Sequence, residues 1–207
     1  MTDRSRGAAP PLVGVLAVHG AVSEHVDAVR AVGGDPRRVG SVVELDAVQA
    51  VVIPGGESTT IRLAAGEDLL AALARRVRDG LPALGTCAGL IALADHIAGG
   101  EEPIVGGLDV TVERNGYGRQ VASFEAPLEY APGWDGDPEP DGVFIRAPRI
   151  THVGDGVDVV ARCRGDIVAV RRGDIVGTAY HPELTGDRRL HAWIVGRARA
   201  YHPGTHA

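Results

Sequence analysis

The stretch "LGTCAGLIALA", residues 84–94, runs an apolar, β-like approach into a helix-like segment, with Cys87 on the bend between them. A thiol that only fills core volume has no need of Gly85 and Gly89 two positions to either side. The pattern G-x-C-x-G has the form of a nucleophile elbow with cysteine in place of serine. Glycine belongs there because strand, turn and helix pack too closely for side chains. Such a bend presents the sulfur at the positive end of the helix and turns the amide of Ala88 toward any oxyanion formed at an attacked carbonyl. The chain has two cysteines. The second, Cys163 in the strand-like "VDVVARC", reads as a buried, inert thiol.

Outward from the elbow, strands alternate with helices. "LVGVLAV" (12–18) is a continuous apolar run with β-branched residues, suited to a strand buried on both faces of a parallel sheet. "AVSEHVDAVRAVGG" (21–34) has helical spacing through Val22, Val26 and Val29 and a glycine stop. "AVVIPGG" (50–56) repeats the buried-strand pattern into a turn, helical segments are expected at 58–65 and 67–79, "PALG" (82–85) is a short strand, and a helix is expected from Cys87 to Ala98. This alternation predicts an α/β sheet with right-handed crossovers. The second half is instead a series of short strand-like runs, "GLDVTVERN", "QVASFEAPL", "GVFIRAP", "VDVVARC", "DIVAVRR" and "IVGTAYHPE", closed by an amphipathic helix at 189–201. One domain is expected over 12–202, between tails at 1–11 and 203–207, with an acidic loop at 133–142.

Composition excludes several function classes. The net charge of -6 over 207 residues gives no electrostatic case for nucleic acid or an anionic membrane. Arg75, Arg76 and Arg78 read as the solvated face of a helix whose buried side is Leu69, Leu70, Leu73 and Val77. No apolar run is long enough to span a bilayer, and the first residues lack the apolar core of a signal peptide, so a cytoplasmic setting is expected. All 21 basic residues are arginine. A chain without lysine cannot form a lysine Schiff base with a carbonyl substrate or pyridoxal phosphate.

A cysteine nucleophile needs a base, and His181 in "GTAYHPEL" stands at the end of an apolar strand. Pro182 is expected to hold it extended, so that Glu183, two residues on, faces the same side and fixes the imidazole tautomer. His25, His96 and His191 fall within helical patterns and read as satisfied surface or core residues. No pair of histidines, and no His with Cys, has ligand spacing on one element, so neither a metal nor another cofactor is expected. In "VVIPGGESTTIRL" two glycines let main-chain amides approach a ligand, with Gly56 as a second oxyanion donor. Ser58 or Thr59 could instead simply cap the following helix.

Taken together, "GVLAVHGAVSEH", "PGGESTTI", "GTCAGLI", "VERNGYGRQ", "FEAPL", "GVFIRAP" and "HPELT" resemble the class I, or triad, glutamine amidotransferases. The likeness is closer still to the glutaminase subunits of two-component pyridoxal 5'-phosphate synthases. It implies a three-layer α/β/α sandwich of flavodoxin-like type, with a mostly parallel open sheet and antiparallel additions. It makes Cys87 the nucleophile, His181 the base and Glu183 its orienter. Gly56, Glu57 and Ser58, with Arg114 and the Ile145–Arg146 pair, would line the site for L-glutamine, and a synthase subunit would receive the ammonia. His19 departs from the pattern, where glutamine is usual. Two other readings compete: the glutaminase of a different ammonia-using synthase, and a non-catalytic stress protein on the same cysteine-elbow fold.

Overall fold

The apolar run at 12–18 becomes β1 (Leu12–Leu16), with Val13 and the residues after it buried. In this computed structural model residues 9–18, 20–116, 123–134 and 140–202 are described. His19, both chain ends, residues 117–122 (which take in most of "GYGRQ") and 135–139 of the acidic loop lie outside them. Helix α1 (Val22–Ala31) buries Val22, His25, Ala28 and Val29. Strand β2 (Asp35–Val39) and the short α2 (Val42–Asp46), capped by Ser41, have no counterpart in the sequence reading. The reason lies in β2's position at the sheet edge, where Arg37 and Arg38 face solvent and leave no apolar run.

β3 (Ala50–Ile53) is wholly buried. α3 (Ser58–Arg78) is broken at Gly66, whose φ of 74° is closed to most side chains, so the two segments expected at 58–65 and 67–79 are indeed distinct. The caps offered by Ser58 and Thr59 are not used: Glu57 holds the N-cap position without a side-chain bond, and Ser58 is buried in the first turn. β4 (Ala83–Thr86) leads into α4 (Ala88–Leu93). The expected helix to Ala98 stops short, because Ala94–Ile97 forms β5, parallel to β6 (Leu108–Glu113). A segment of only four residues is too short for its periodicity to separate a helix end from a strand.

The remaining strands are β7 (Ser123–Pro127), β8 (Glu129–Tyr130), β9 (Asp141–Ile145), β10 (Arg149–Val153), β11 (Asp158–Cys163), β12 (Asp166–Arg172) and β13 (Ile175–Thr178), followed by α5 (Arg189–Ala200). Eight strands form the main sheet in the order β2-β1-β3-β4-β13-β12-β11-β8. The first five are parallel and the rest antiparallel. β10-β6-β5 and β7-β9 make two smaller sheets. The strand order reverses at β1, so right-handed crossovers place α1 on one face and α2 and α3 on the other. α5 packs on α1 and α4 on α3, completing three layers around one continuous apolar core. This is the doubly wound α/β sandwich that the sequence implied. Among the described residues no helix is long and apolar enough to cross a membrane.

In open sheets of this kind, ligands bind beyond the carboxyl ends of the strands. β3, β4 and β13 are neighbours, and the segments that leave their carboxyl ends carry the residues singled out by sequence.

Candidate active site

β4 ends at Cys87, whose φ of 50° and ψ of -104° make the abrupt change from strand to helix. Its amide donates to the Thr178 carbonyl at 2.8 Å, tying the elbow to the last residue of β13. The flanking glycines are imposed by packing. A Cβ on Gly85 would meet the carbonyl oxygen of Gly89, and a Cβ on Gly89 would meet that of Ile53 in β3. Both obstacles are backbone, which cannot swing aside. Thus the helix is pressed against two strands while the thiol stays at the rim.

β3 runs into Pro54-Gly55-Gly56. A Cβ on Gly55 would collide with Cε1 of the His181 ring and would lie 3.2 Å from Cβ of Cys87. The first glycine of this pair therefore makes room for the cysteine–imidazole contact itself. The second, Gly56, lines the cavity beside it.

Three residues beyond β13, His181 is anchored by its amide donating to Val143 of β9 at 2.9 Å. Its Nδ1 lies 2.7 Å from Oε1 of Glu183, and both residues are buried. The route differs from the expected extended chain. Pro182–Leu184 is a single 3-10 turn, with proline in its first position, and it is this turn that folds the carboxylate back onto the ring. Proline's fixed φ serves a helical first turn as well as it serves a strand.

The electrostatics follow from burial and these contacts. Burial disfavours the charged imidazole of His181, but hydrogen bonds with Cys87 and Glu183 outweigh it and raise the pKa to about 10. Burial likewise disfavours a charged Glu183, yet the hydrogen bond with His181 and the nearby His25 ring hold its carboxyl well below the usual carboxylate range. A proton released by the thiol therefore rests favourably on His181 and not on Glu183.

A cavity of about 290 Å³ opens over the sulfur, lined by Gly56, Glu57, Ser58, Cys87, Ile91, Arg114, Asn115, Ile145, Arg146 and His181. Every side chain named from sequence as a glutamine contact lines it. Ala88 and Glu183 are buried next to Cys87 and His181, respectively. Cys87 Sγ lies 3.6 Å from the carbonyl of Ile145, so β9 forms one wall. Arg146 pairs with Glu57 across the cavity mouth, and Arg114 pairs with Glu101 at 2.7 Å. Arg146 and Asn115 have φ of 46° and 51°, a conformation side chains seldom adopt and one that clusters at functional sites.

Sequence reasoning missed Ile91 and Asn115 as parts of the site. Asn115 carried a signal, since asparagine tolerates the left-handed region better than other side chains. His96 sits on β5 and not on a helix, exposed, 3.7 Å from Asp109. Cys163 is buried at the end of β11 and does not line the cavity. Burial pushes its thiol pKa upward. Among the described residues no cluster of three or more His, Cys, Asp or Glu could hold a metal ion.

A doubly wound sheet carrying a cysteine elbow backed by imidazole and carboxylate defines a class of α/β proteins built for attack on a carbonyl carbon. Within that class, the chain belongs to the SNO glutamine amidotransferase family, whose profile matches residues 15–199. It is 52% identical over 191 residues to a "Pyridoxal 5'-phosphate synthase subunit PdxT" of Mycobacterium bovis, covering 89% of this chain and 95% of that one. A protein of the same name from Salinispora arenicola is 48% identical over 198 residues, covering 92% and 98%. A crystal structure of a glutamine amidotransferase matches with a TM-score of 0.82 and 43% identity, over 90% of this chain and 98% of its own. The resemblance carried by "PGGESTT", "VERNGYGRQ" and "FIRAP" is thereby borne out.

Proposed function

We propose that the chain is the glutaminase subunit of a pyridoxal 5'-phosphate synthase, hydrolysing L-glutamine through Cys87, His181 and Glu183 and passing ammonia to a synthase subunit. The observation that carries this reading is the alignment of Cys87, His181 and Glu183 beneath a polar cavity. The names of relatives about half identical over nearly their full length supply the pathway.

The sulfur, its proton taken by His181, attacks the side-chain amide carbon of glutamine. Negative charge develops on the amide oxygen, where the backbone amides of Ala88 and Gly56 are the donors. His181 returns the proton to the nitrogen, the C–N bond breaks, and ammonia leaves a γ-glutamyl thioester on Cys87. Water, deprotonated by His181, then cleaves the thioester to glutamate and restores the thiol. Glu183 holds the ring tautomer and stabilises the imidazolium throughout. Ammonia released into neutral water would mostly become ammonium, which is not nucleophilic, so a sheltered route to the partner is required. This chain has no lysine, so any lysine Schiff-base chemistry would fall to the partner.

Glutamate release, measured with and without the synthase subunit, tests the reading. The isolated chain should turn over slowly and accelerate on addition of the partner. A misdirected Gly56 amide alone would account for about a hundredfold or more. No release in either state would overturn the assignment, and full activity without the partner would overturn its dependence on the complex.

Glutamine brings a carboxylate and an ammonium group to a cavity whose mouth is an Arg146–Glu57 pair. Bidentate arginine suits the former and glutamate the latter. Arg146→Ala and Arg114→Ala should therefore raise KM for glutamine by about tenfold, the loss of one charge-assisted contact, with a smaller effect on kcat. Equal damage toward an amide lacking the α-carboxylate would assign these arginines to the fold instead.

A further inference from the structure

Glu183 has a second carboxylate oxygen, and what faces it takes no part in the mechanism above. His25 on α1 and His191 on α5 are both 0% exposed, although they come from different helices. His25 Nε2 stands 3.4 Å from Glu183 Oε2 and 3.1 Å from Oγ1 of Thr86, the residue before Cys87. His25 Nδ1 is 3.0 Å from His191 Nε2. At that separation His25 faces Oε2 without a hydrogen bond, and neither Oε2 nor Nδ1 of His191 has a hydrogen-bond partner.

These contacts select one arrangement of protons. If His25 carries its hydrogen on Nε2, that hydrogen goes to Thr86 with Oε2 of Glu183 close by, and Nδ1 accepts from Nε2–H of His191. The groups left without a hydrogen-bond partner are then both acceptors, Oε2 of Glu183, which has an N–H close by, and the lone pair of His191 Nδ1. With the opposite tautomers, a lone pair on His25 would face the carboxylate, and an N–H of His191 would be buried with nothing to accept it. A buried, unsatisfied donor costs about 1–3 kcal/mol, and the repulsion adds to it. Burial also lowers the His191 pKa to about 3, which keeps that ring neutral and leaves it a single hydrogen to place.

We propose that His25 is a positioning residue for the reaction: its Nε2–H faces the second oxygen of Glu183 and holds it by electrostatic attraction, and His191 locks the tautomer that makes this possible. The device rests on the glutaminase reading. It extends the line Cys87–His181–Glu183 through His25 to His191, so that α1 and α5 brace the carboxylate on which the imidazolium depends. A buried carboxylate held at one oxygen only would be free to rotate away from His181.

The test uses the full chain assayed with its synthase partner. His25→Phe keeps ring volume without a donor and should lower kcat by about tenfold to a hundredfold, as loss of orienting partners behind reactive imidazoles does elsewhere, leaving KM for glutamine unchanged. His25→Gln, whose amide nitrogen reaches the place of Nε2, should recover most of that loss. His191→Leu should lower kcat in the native background and do nothing further in His25→Phe, since it acts only through His25. Full kcat in His25→Phe, a change confined to KM, or a His25→Gln enzyme as slow as His25→Phe would overturn the proposal. Nitrogen-15 spectra of the unmodified protein at neutral pH need no variant to fold. They should show His25 protonated at Nε2 and bare at Nδ1, and the reverse would overturn the tautomer. If the native complex releases no glutamate, the glutaminase reading fails while the spectra still report on His25.

Discussion

Cys87→Ala and Cys87→Ser are expected to abolish glutamine hydrolysis, with a loss of at least about a thousandfold, because members of a catalytic triad act as a unit. The fold should survive. Cys87 already sits at a rim beside a cavity, so a smaller side chain there creates little new void. Neither variant offers a sulfur at the bend, and serine's hydroxyl holds its proton far more tightly than a thiol does. Cys163→Ser is the control. That residue is buried at the far end of the antiparallel extension, and replacing it should cost about 1–3 kcal/mol of stability, for a hydroxyl placed among apolar neighbours, without affecting turnover. Thermal unfolding and glutamate release measured on both variants separate the two roles. An active Cys87→Ala enzyme beside a dead Cys163→Ser enzyme would place the nucleophile elsewhere.

His181→Asn should be nearly as damaging, again by about a thousandfold, since one ring both takes the thiol proton and returns it to the departing nitrogen. Asparagine can hydrogen-bond at the same place but cannot carry the proton. Glu183→Gln should cost less, on the order of a hundredfold, because it leaves the base in position and removes only the charge that stabilises imidazolium. Single-turnover measurement of thioester formation distinguishes these steps from later hydrolysis. A Glu183→Gln chain as inert as His181→Asn, with unchanged thermal stability, would mean that the carboxylate does more than orient the ring.

Those residues were legible for a local reason. The elbow is written within a few positions, as Gly85, Cys87 and Gly89, because its constraints act between backbone atoms of adjoining elements. The buried parallel strands showed as unbroken apolar, valine-rich runs at 12–18 and 50–53, and Gly66 marked the break in α3. His181 and Glu183 were found by their spacing, though a 3-10 turn and not a strand brings them together. Where the sequence was misread, local pattern carried no decision: four residues at 94–97, two apolar and two polar, suit the end of a helix or a short strand, and pairing with β6 settles it. β2 and β10 lie at sheet edges, so their polar residues conceal them.

By itself, then, the sequence determined the buried parallel strands and the helices between them, the sharp bend at Cys87, and the residue types available for the chemistry. Only the tertiary structure decided which of them meet. β13 arrives late in the chain yet pairs in parallel with β4, Thr178 opposite Thr86, and this register sets His181 beside Cys87. His25 was read as an ordinary helical histidine because its periodicity says only that it faces inward. What lies inward depends on where α1 and α5 settle on the sheet, and there it meets Glu183 and His191. Periodicity reports the face an element buries. The partner on that face is chosen by strand order and the handedness of crossovers, which no local stretch of residues encodes.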